Sequence, residues 1–188
     1  MLGRKCARTL LRNVHYKEID SRSLIFSLFP YQYEPVAKLI LGAKIHMHPP
    51  ALQLFSKLWS WGLKQLPLPD LNQWNISAVP RPWTRKLFHG PGLPQSMIQN
   101  SYFDLCQPQN YFSAKSTHLV TPKKNKHTRT LFILKNKFRN HPNIMPGKGL
   151  VLIDDLYTTG TTMHQLLAGL DIIRPKNFPV IGIAFAYA

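Results

Sequence analysis

Apolar positions along the chain alternate between short unbroken runs and stripes at helical spacing. Ser23 to Phe29 is a β-prone run ended by Pro30, and Tyr31 to Tyr33 suits a second short strand. Pro35 then fits the first turn of a helix whose stripe is Val36, Leu39, Ile40 and Ala43, with Lys38 and Lys44 outside it. Pro49-Pro50 breaks the chain. Ala51, Leu52, Phe55, Leu58, Trp59 and Leu63 recur as a second amphipathic helix, and Pro67 to Asn72 is a turn-rich link. Asn75 to Val79 predicts a short strand closed by Pro80. A long Gly-, Pro- and base-rich loop follows, and then a helix from Leu93 carrying Met97, Ile98, Tyr102 and Leu105.

The later half repeats the alternation. Leu119-Val120 suits a short strand, Lys123 to Arg129 a basic loop, and Leu131 to Phe138 either helix or strand. Pro142 to Gly149 leads as a loop into Leu150-Val151-Leu152-Ile153, wholly apolar, as a strand buried on both faces must be. Met163, Leu166, Leu167 and Leu170 set a helix behind it. Pro175 to Asn177 turns the chain into a last apolar strand, Val180 to Phe185. Strands alternating with helices predict an α/β fold with a central, mostly parallel sheet flanked by helices. Residues 1–22 read as a basic N-terminal segment, frayed, ahead of one domain spanning 23–188.

Chemistry concentrates between the apolar strand and the helix after it. Two adjacent carboxylates, Asp154 and Asp155, end the run, and Thr158-Thr159-Gly160-Thr161-Thr162 turns it into the helix N-terminus. Backbone N–H groups and the positive end of the helix dipole converge on an anion in such a turn, and Gly160 lets the backbone turn tightly and approach a ligand. This is no Walker loop, because the stretch lacks Gly-x-x-x-x-Gly-Lys-Ser/Thr and any Lys. Acids ahead of an anion loop suit a ligand with hydroxyls beside a phosphate, such as ribose 5-phosphate.

Composition sharpens this picture. The chain has 188 residues, 44% of them apolar, which suits one globular domain, and no run approaches a membrane span. Its formal charge is +16, with only eight acids, two of them spent side by side at Asp154 and Asp155. From Leu105 to Ile153 there are nine Lys or Arg and no acid. Such a field attracts phosphates, on a small molecule or on nucleic acid. Cys6 and Cys106 stand alone without metal spacing, so a reducing compartment fits. Residues 1 to 14 lack the apolar core of a secretory signal; their composition leaves a transit peptide open.

Val151 to Thr162, Val-Leu-Ile-Asp-Asp-Leu-Tyr-Thr-Thr-Gly-Thr-Thr, resembles without a gap the phosphoribosyl-pyrophosphate (PRPP) motif of type I phosphoribosyltransferases. The order of elements over roughly residues 25 to 188 resembles the ComF family, the phosphoribosyltransferase-like proteins of bacterial natural competence. That family has a hairpin and a helix ending near a Lys, matched here at Phe29 to Lys44. Its Pro-Val-Pro strand end is matched by Ala78-Val79-Pro80, and its Arg-Gly-Phe-Asn-Gln loop by Pro91-Gly92-Leu93-Pro94-Gln95. Gly92 and Gln95 agree; Pro91 stands for the Arg and Pro94 for the Asn. Around Arg139 the basic character of the family's Arg-x-x-Asn segment survives. The Cys-rich zinc module of many members has only Cys6 here, so no zinc is expected.

The resemblance implies a type I phosphoribosyltransferase-like fold with a small N-terminal hairpin and helix region. It implies a cytoplasmic, PRPP-binding glycosyltransferase acting with Mg²⁺, with acceptor unidentified, in DNA uptake beside other competence proteins. Asp154 and Asp155 would bind the ribose hydroxyls directly or through waters on Mg²⁺, and Thr158, Thr159, Gly160, Thr161 and Thr162 would hold the 5-phosphate. Arg81, Arg85 and Lys86 would reach the pyrophosphate. Losing an Arg at Pro91 removes a charge-assisted contact. A second reading uses the fold to bind single-stranded nucleic acid through Lys123, Lys124, Lys126, Arg129 and Arg139, with Tyr111, Phe112, Phe132 and Phe138 as stacking surfaces. Lys44 is a weaker anion candidate, and His89 and His164 have the chemistry for acid–base work.

Overall fold

The computed structural model describes residues 14–44, 48–71, 73–80, 93–99, 107–108, 112–114, 132–134, 147–171 and 173–188. In chain order these form β1 (His15–Asp20), β2 (Ser23–Pro30), α1 (Glu34–Lys44), α2 (Pro49–Leu63), β3 (Asn75–Ala78) and α3 (Leu93–Gln99). After them come β4 (Gln107–Pro108), β5 (Phe112–Ala114), β6 (Phe132–Leu134), β7 (Leu150–Tyr157), α4 (Thr161–Leu170) and β8 (Val180–Tyr187). Six strands form one sheet in the order β1-β2-β8-β7-β3-β4; β1 pairs antiparallel with β2 and every other pairing is parallel. This is the α/β, mostly parallel, helix-flanked architecture that the hydrophobic pattern predicts. β5 and β6 form a separate antiparallel pair, which settles Phe132–Leu134 as strand.

The two central strands are apolar throughout because both their faces are covered. Val151, Ile153, Ile181, Ile183 and Phe185 pack with Val36, Leu39, Ile40, Phe55, Trp59 and Met97 from α1, α2 and α3. Leu150, Leu152, Val180 and Ala184 pack on the other side with Met163, Leu166, Leu167 and Leu170 of α4. Period-two alternation along a strand thus feeds two cores at once. Trp59 is fully buried, and its indole N–H donates to the Met97 carbonyl at 3.1 Å, tying α2 to α3. At the amino end of the sheet the buried Arg174 guanidinium donates to Ser23 Oγ at 2.9 Å and to Asp171, joining the start of β2 to the link between α4 and β8.

Several expectations are corrected. Residues 15–20, read as part of the basic N-terminal segment, form a strand of the sheet: β1 registers His15 opposite Ser27 and Glu18 opposite Leu24. Its side chains are mostly exposed, so no hydrophobic period announces it, and backbone pairing to β2 decides it. Charged residues such as Lys17 and Glu18 suit an edge strand. Tyr31 to Tyr33 form a turn rather than a strand, because the Tyr33 carbonyl accepts the first N–H groups of α1, from Val36 and Ala37. Pro49 and Pro50 open α2 instead of breaking the chain, since the first turn needs no N–H from them. β7 and β8 run four and two residues past the apolar stretches read for them, to Tyr157 and Tyr187. Tyr102, Leu105 and Leu119-Val120 lie outside the described residues. Among the described residues no helix is long and apolar enough to cross a membrane.

Candidate functional site

Because β7 continues to Tyr157, Asp154 and Asp155 lie within a strand flanked by β8 and β3, at the carboxyl end of the sheet. They do not sit in the loop beyond it. Asp154 is 8% exposed and Asp155 5%. Two buried neighbouring carboxylates are costly unless each has a partner. Asp155 has one from far away in sequence: the Lys44 ammonium lies 2.8 Å from its Oδ1 and 2.6 Å from its Oδ2. Lys44 is the last residue of α1, whose apolar stripe is packed against the sheet, so the helix carries the ammonium to the strand. The helix's negative end favours a cation there.

Asp154 is treated differently. Its Oδ1 accepts the N–H of Asp155 at 2.8 Å, and its carboxylate also accepts the N–H of Leu156. Burial, followed by the charge of Asp155, pushes its pKa up to about 8, with those N–H groups and Lys44 opposing the rise. At neutral pH Asp154 is therefore mostly a neutral carboxylic acid. The Lys44 ammonium faces the pair at Asp155.

Past Tyr157 the loop turns at Gly160, which is left-handed (φ 77°, ψ −4°) and caps α4. Its carbonyl accepts the His164 N–H at 2.9 Å. The N–H groups of the next residues open a helix and have no intrahelical carbonyl to bond. Thr158 and Thr159 are exposed, and Thr161 and Thr162 half-buried. The hydroxyls of Thr159 and Thr161 bond one another at 2.8 Å, drawing the loop into a tight arc. Four threonines around a left-handed glycine thus open the helix, the arrangement an anion site uses.

Tyr157 underlies this arc. It packs in the core shared with α4, and its hydroxyl is buried with no hydrogen-bond partner among the described residues. A Cβ placed on Gly160 would meet that hydroxyl at 2.6 Å, so the ring fills the space that glycine leaves. His15 stacks on Tyr187 at 5.0 Å between ring centroids and lies 6.4 Å from Tyr157. A buried hydroxyl with no partner stabilises nothing. Tyr157→Phe is expected to unfold at the same urea concentration as the parent or a higher one, by up to about 1 kcal/mol. A loss of stability larger than that would show that the hydroxyl is bonded in solution.

The expectation that Asp154 and Asp155 hold Mg²⁺ fits this donor set poorly for direct ligation. Bound directly, Mg²⁺ needs one or two carboxylate oxygens free to complete an octahedral shell with waters and phosphates. Here both Asp155 oxygens face an ammonium, and the Asp154 carboxyl is turned onto backbone N–H groups. Among the described residues no group of three or more His, Cys, Asp or Glu is placed to hold a metal ion.

The structure therefore brings together Asp154, Asp155, Thr158, Thr159, Gly160, Thr161 and Thr162 in one strand–loop–helix unit. His164 is exposed on α4 beside Gly160. Arg81, Arg85, Lys86, His89, Lys123, Lys124, Lys126, Arg129 and Arg139 lie outside the described residues. Sequence reasoning underrated Lys44 and passed over Tyr157 and His15. The signal available for Lys44 was its place at the end of an amphipathic helix in the segment matched to the family's Lys.

No family model matches the chain, and no curated protein matches it. Among solved structures it is similar to adenine phosphoribosyltransferase from Leishmania tarentolae, at 14% identity over 90% of this chain and 94% of that one, with a TM-score of 0.35. It is also similar to adenine phosphoribosyltransferase from Trypanosoma brucei, solved with AMP, pyrophosphate and ribose-5-phosphate. There the identity is 12%, over 91% of this chain and 86% of that one, and the TM-score is again 0.35. Overlap at this level carries no inference about the site.

Proposed function

We propose that the carboxyl end of β7 and the loop into α4 bind a ribose 5-phosphate group, as part of PRPP. One observation carries this reading: a charge-compensated pair of carboxyl groups stands directly ahead of a left-handed Thr-Gly-Thr turn that opens a helix. Two bare carboxylates beside a phosphate would repel it. Here one is paired with Lys44 and the other is held neutral, so both remain able to bond sugar hydroxyls without opposing the anion. In this reading Asp154 and Asp155 engage the ribose hydroxyls, and backbone and hydroxyl groups of Thr158 to Thr162 hold the phosphate.

The resemblance of Val151 to Thr162 to the PRPP motif supports the choice of ligand and suggests a phosphoribosyl transfer. The pyrophosphate would then leave an oxocarbenium-like centre, and the basic residues Arg81, Arg85 and Lys86 would offset its charge. Isothermal titration with ribose 5-phosphate and with PRPP tests the reading. Wild-type protein is expected to bind both. Asp155→Asn should weaken both by about tenfold or more, since it removes a charged acceptor and breaks a buried pair with Lys44. Heat-silent titrations, or an Asp155→Asn variant binding as tightly as the parent, would refute it.

A cytosolic role in handling incoming DNA follows from the ComF resemblance. The net charge of +16 supports it, as does the face of α2 where Lys57, Trp61 and Lys64 line a groove with Ser56 and Ser60. Anisotropy with a fluorescent single-stranded oligonucleotide should show binding that falls steeply as salt rises. No binding near physiological salt counts against it.

A further inference from the structure

We propose that Lys44 is the resident cation of this site: its ammonium takes at Asp155 the place a divalent metal ion would fill, so that a sugar phosphate binds here without metal. The proposal rests on the ribose 5-phosphate reading above, and it assigns the ion requirement of that site and a positioning role to Lys44.

The contact is two-pronged, at 2.8 and 2.6 Å to the two oxygens of one buried carboxylate. Its lysine is not a swinging surface chain. It ends an eleven-residue helix whose Val36, Leu39, Ile40 and Ala43 are buried in the core, and only 31% of its side chain is exposed. A divalent ion bound directly to Asp155 would have to share those oxygens with an ammonium within hydrogen-bond distance, and like charges that close oppose one another. Asp154 offers no alternative, because its carboxyl group takes the N–H groups of Asp155 and Leu156. What a metal ion would do here is hold Asp155 in place and neutralise it beside an arriving phosphate, and Lys44 already does both.

Two measurements test this, one with the sugar phosphate and one without. Titrated with ribose 5-phosphate, wild-type protein should show the same affinity in EDTA and in millimolar Mg²⁺. Lys44→Met should bind about tenfold or more weakly in EDTA, having lost one partner of a buried charge pair, and should recover on adding Mg²⁺. Lys44→Arg, which keeps the charge, should remain indifferent to metal. Separately, Mn²⁺ titrated into the free protein and followed by electron paramagnetic resonance should find no site on the wild type. It should find one on Lys44→Met that Asp155→Asn removes from that variant. A wild-type affinity that rises about tenfold or more with Mg²⁺ would overturn the proposal, as would a Mn²⁺ site on the wild type that Asp155→Asn abolishes. If ribose 5-phosphate binds in neither buffer, the ligand reading falls. The Mn²⁺ experiment would still decide whether Lys44 holds the ion's place. Both wild-type arms stand even if Lys44→Met does not fold.

Discussion

Gly160→Ala is expected to weaken ribose 5-phosphate binding by about a hundredfold while leaving the sheet intact, on the scale at which a misplacement of about 1 Å disables a site. Two features converge at this residue. Its backbone is left-handed, with φ at 77°, a conformation that costs a residue with a Cβ about 1–3 kcal/mol in a strained site. The new methyl carbon would also stand 2.6 Å from the Tyr157 hydroxyl and 3.0 Å from the ring carbon that bears it. Tyr157 is wedged in the core shared with α4 and cannot swing away. The loop must therefore lift, and the donors that converge on the phosphate lift with it. Circular dichroism should show an unchanged α/β signature, and titration with ribose 5-phosphate should show the loss. A double variant, Gly160→Ala with Tyr157→Phe, removes the oxygen but not the ring or the backbone strain. It should recover part of the stability lost in the single variant, because the two positions touch. An alanine variant that binds like the parent would mean the loop does not hold the phosphate.

The second large effect is on stability against pH in the metal-free protein. Asp154 holds its proton in the fold up to about pH 8, whereas in the unfolded chain it loses it near its ordinary value of 3.8. Between those values the folded state binds one more proton than the unfolded state. Stability from this group is thus fully present below pH 3.8 and lost as pH rises through about 8. The slope approaches about 1.4 kcal/mol per pH unit, so urea melts two units apart inside the window should differ by about 3 kcal/mol, the acidic sample being the more stable. Asp154→Asn keeps an acceptor for the Asp155 N–H and has no proton to lose. Its stability should be nearly level across the same range, and above pH 8 it should exceed the parent's. Parallel curves for parent and variant would show that Asp154 is ionised in the fold.

Much of this was legible in the chain itself. The apolar run at Leu150, the helical stripe from Met163 to Leu170 and the Thr-Gly-Thr turn between them are local features, governed by side-chain period and backbone chirality. Sequence determines those without reference to the rest of the molecule. The same is true of α1, whose predicted stripe is the set of residues found buried, and of α2, where Phe55, Trp59 and Leu63 of the stripe are buried and Ala51, Leu52 and Leu58 pack half-buried against the same core. β1 was illegible because an edge strand exposed along most of its length needs no hydrophobic period, only a neighbour with free backbone groups. The end of the strand at Tyr157 was illegible too, since two carboxylates look like the end of a buried run. Only knowledge of their partners explains how the strand continues through them.

Those partners separate what the chain determined from what the fold decided. From sequence alone came the α/β class, the parallel sheet and a pair of acids ahead of an anion loop. Tertiary structure alone brought Lys44 to Asp155 across 111 residues, seated the Tyr157 ring beneath Gly160 and buried Asp154 deeply enough to keep its proton. Charge state and metal requirement are properties of an environment. A buried carboxyl answers to the groups packed around it, and those are set by which helix covers which face of the sheet.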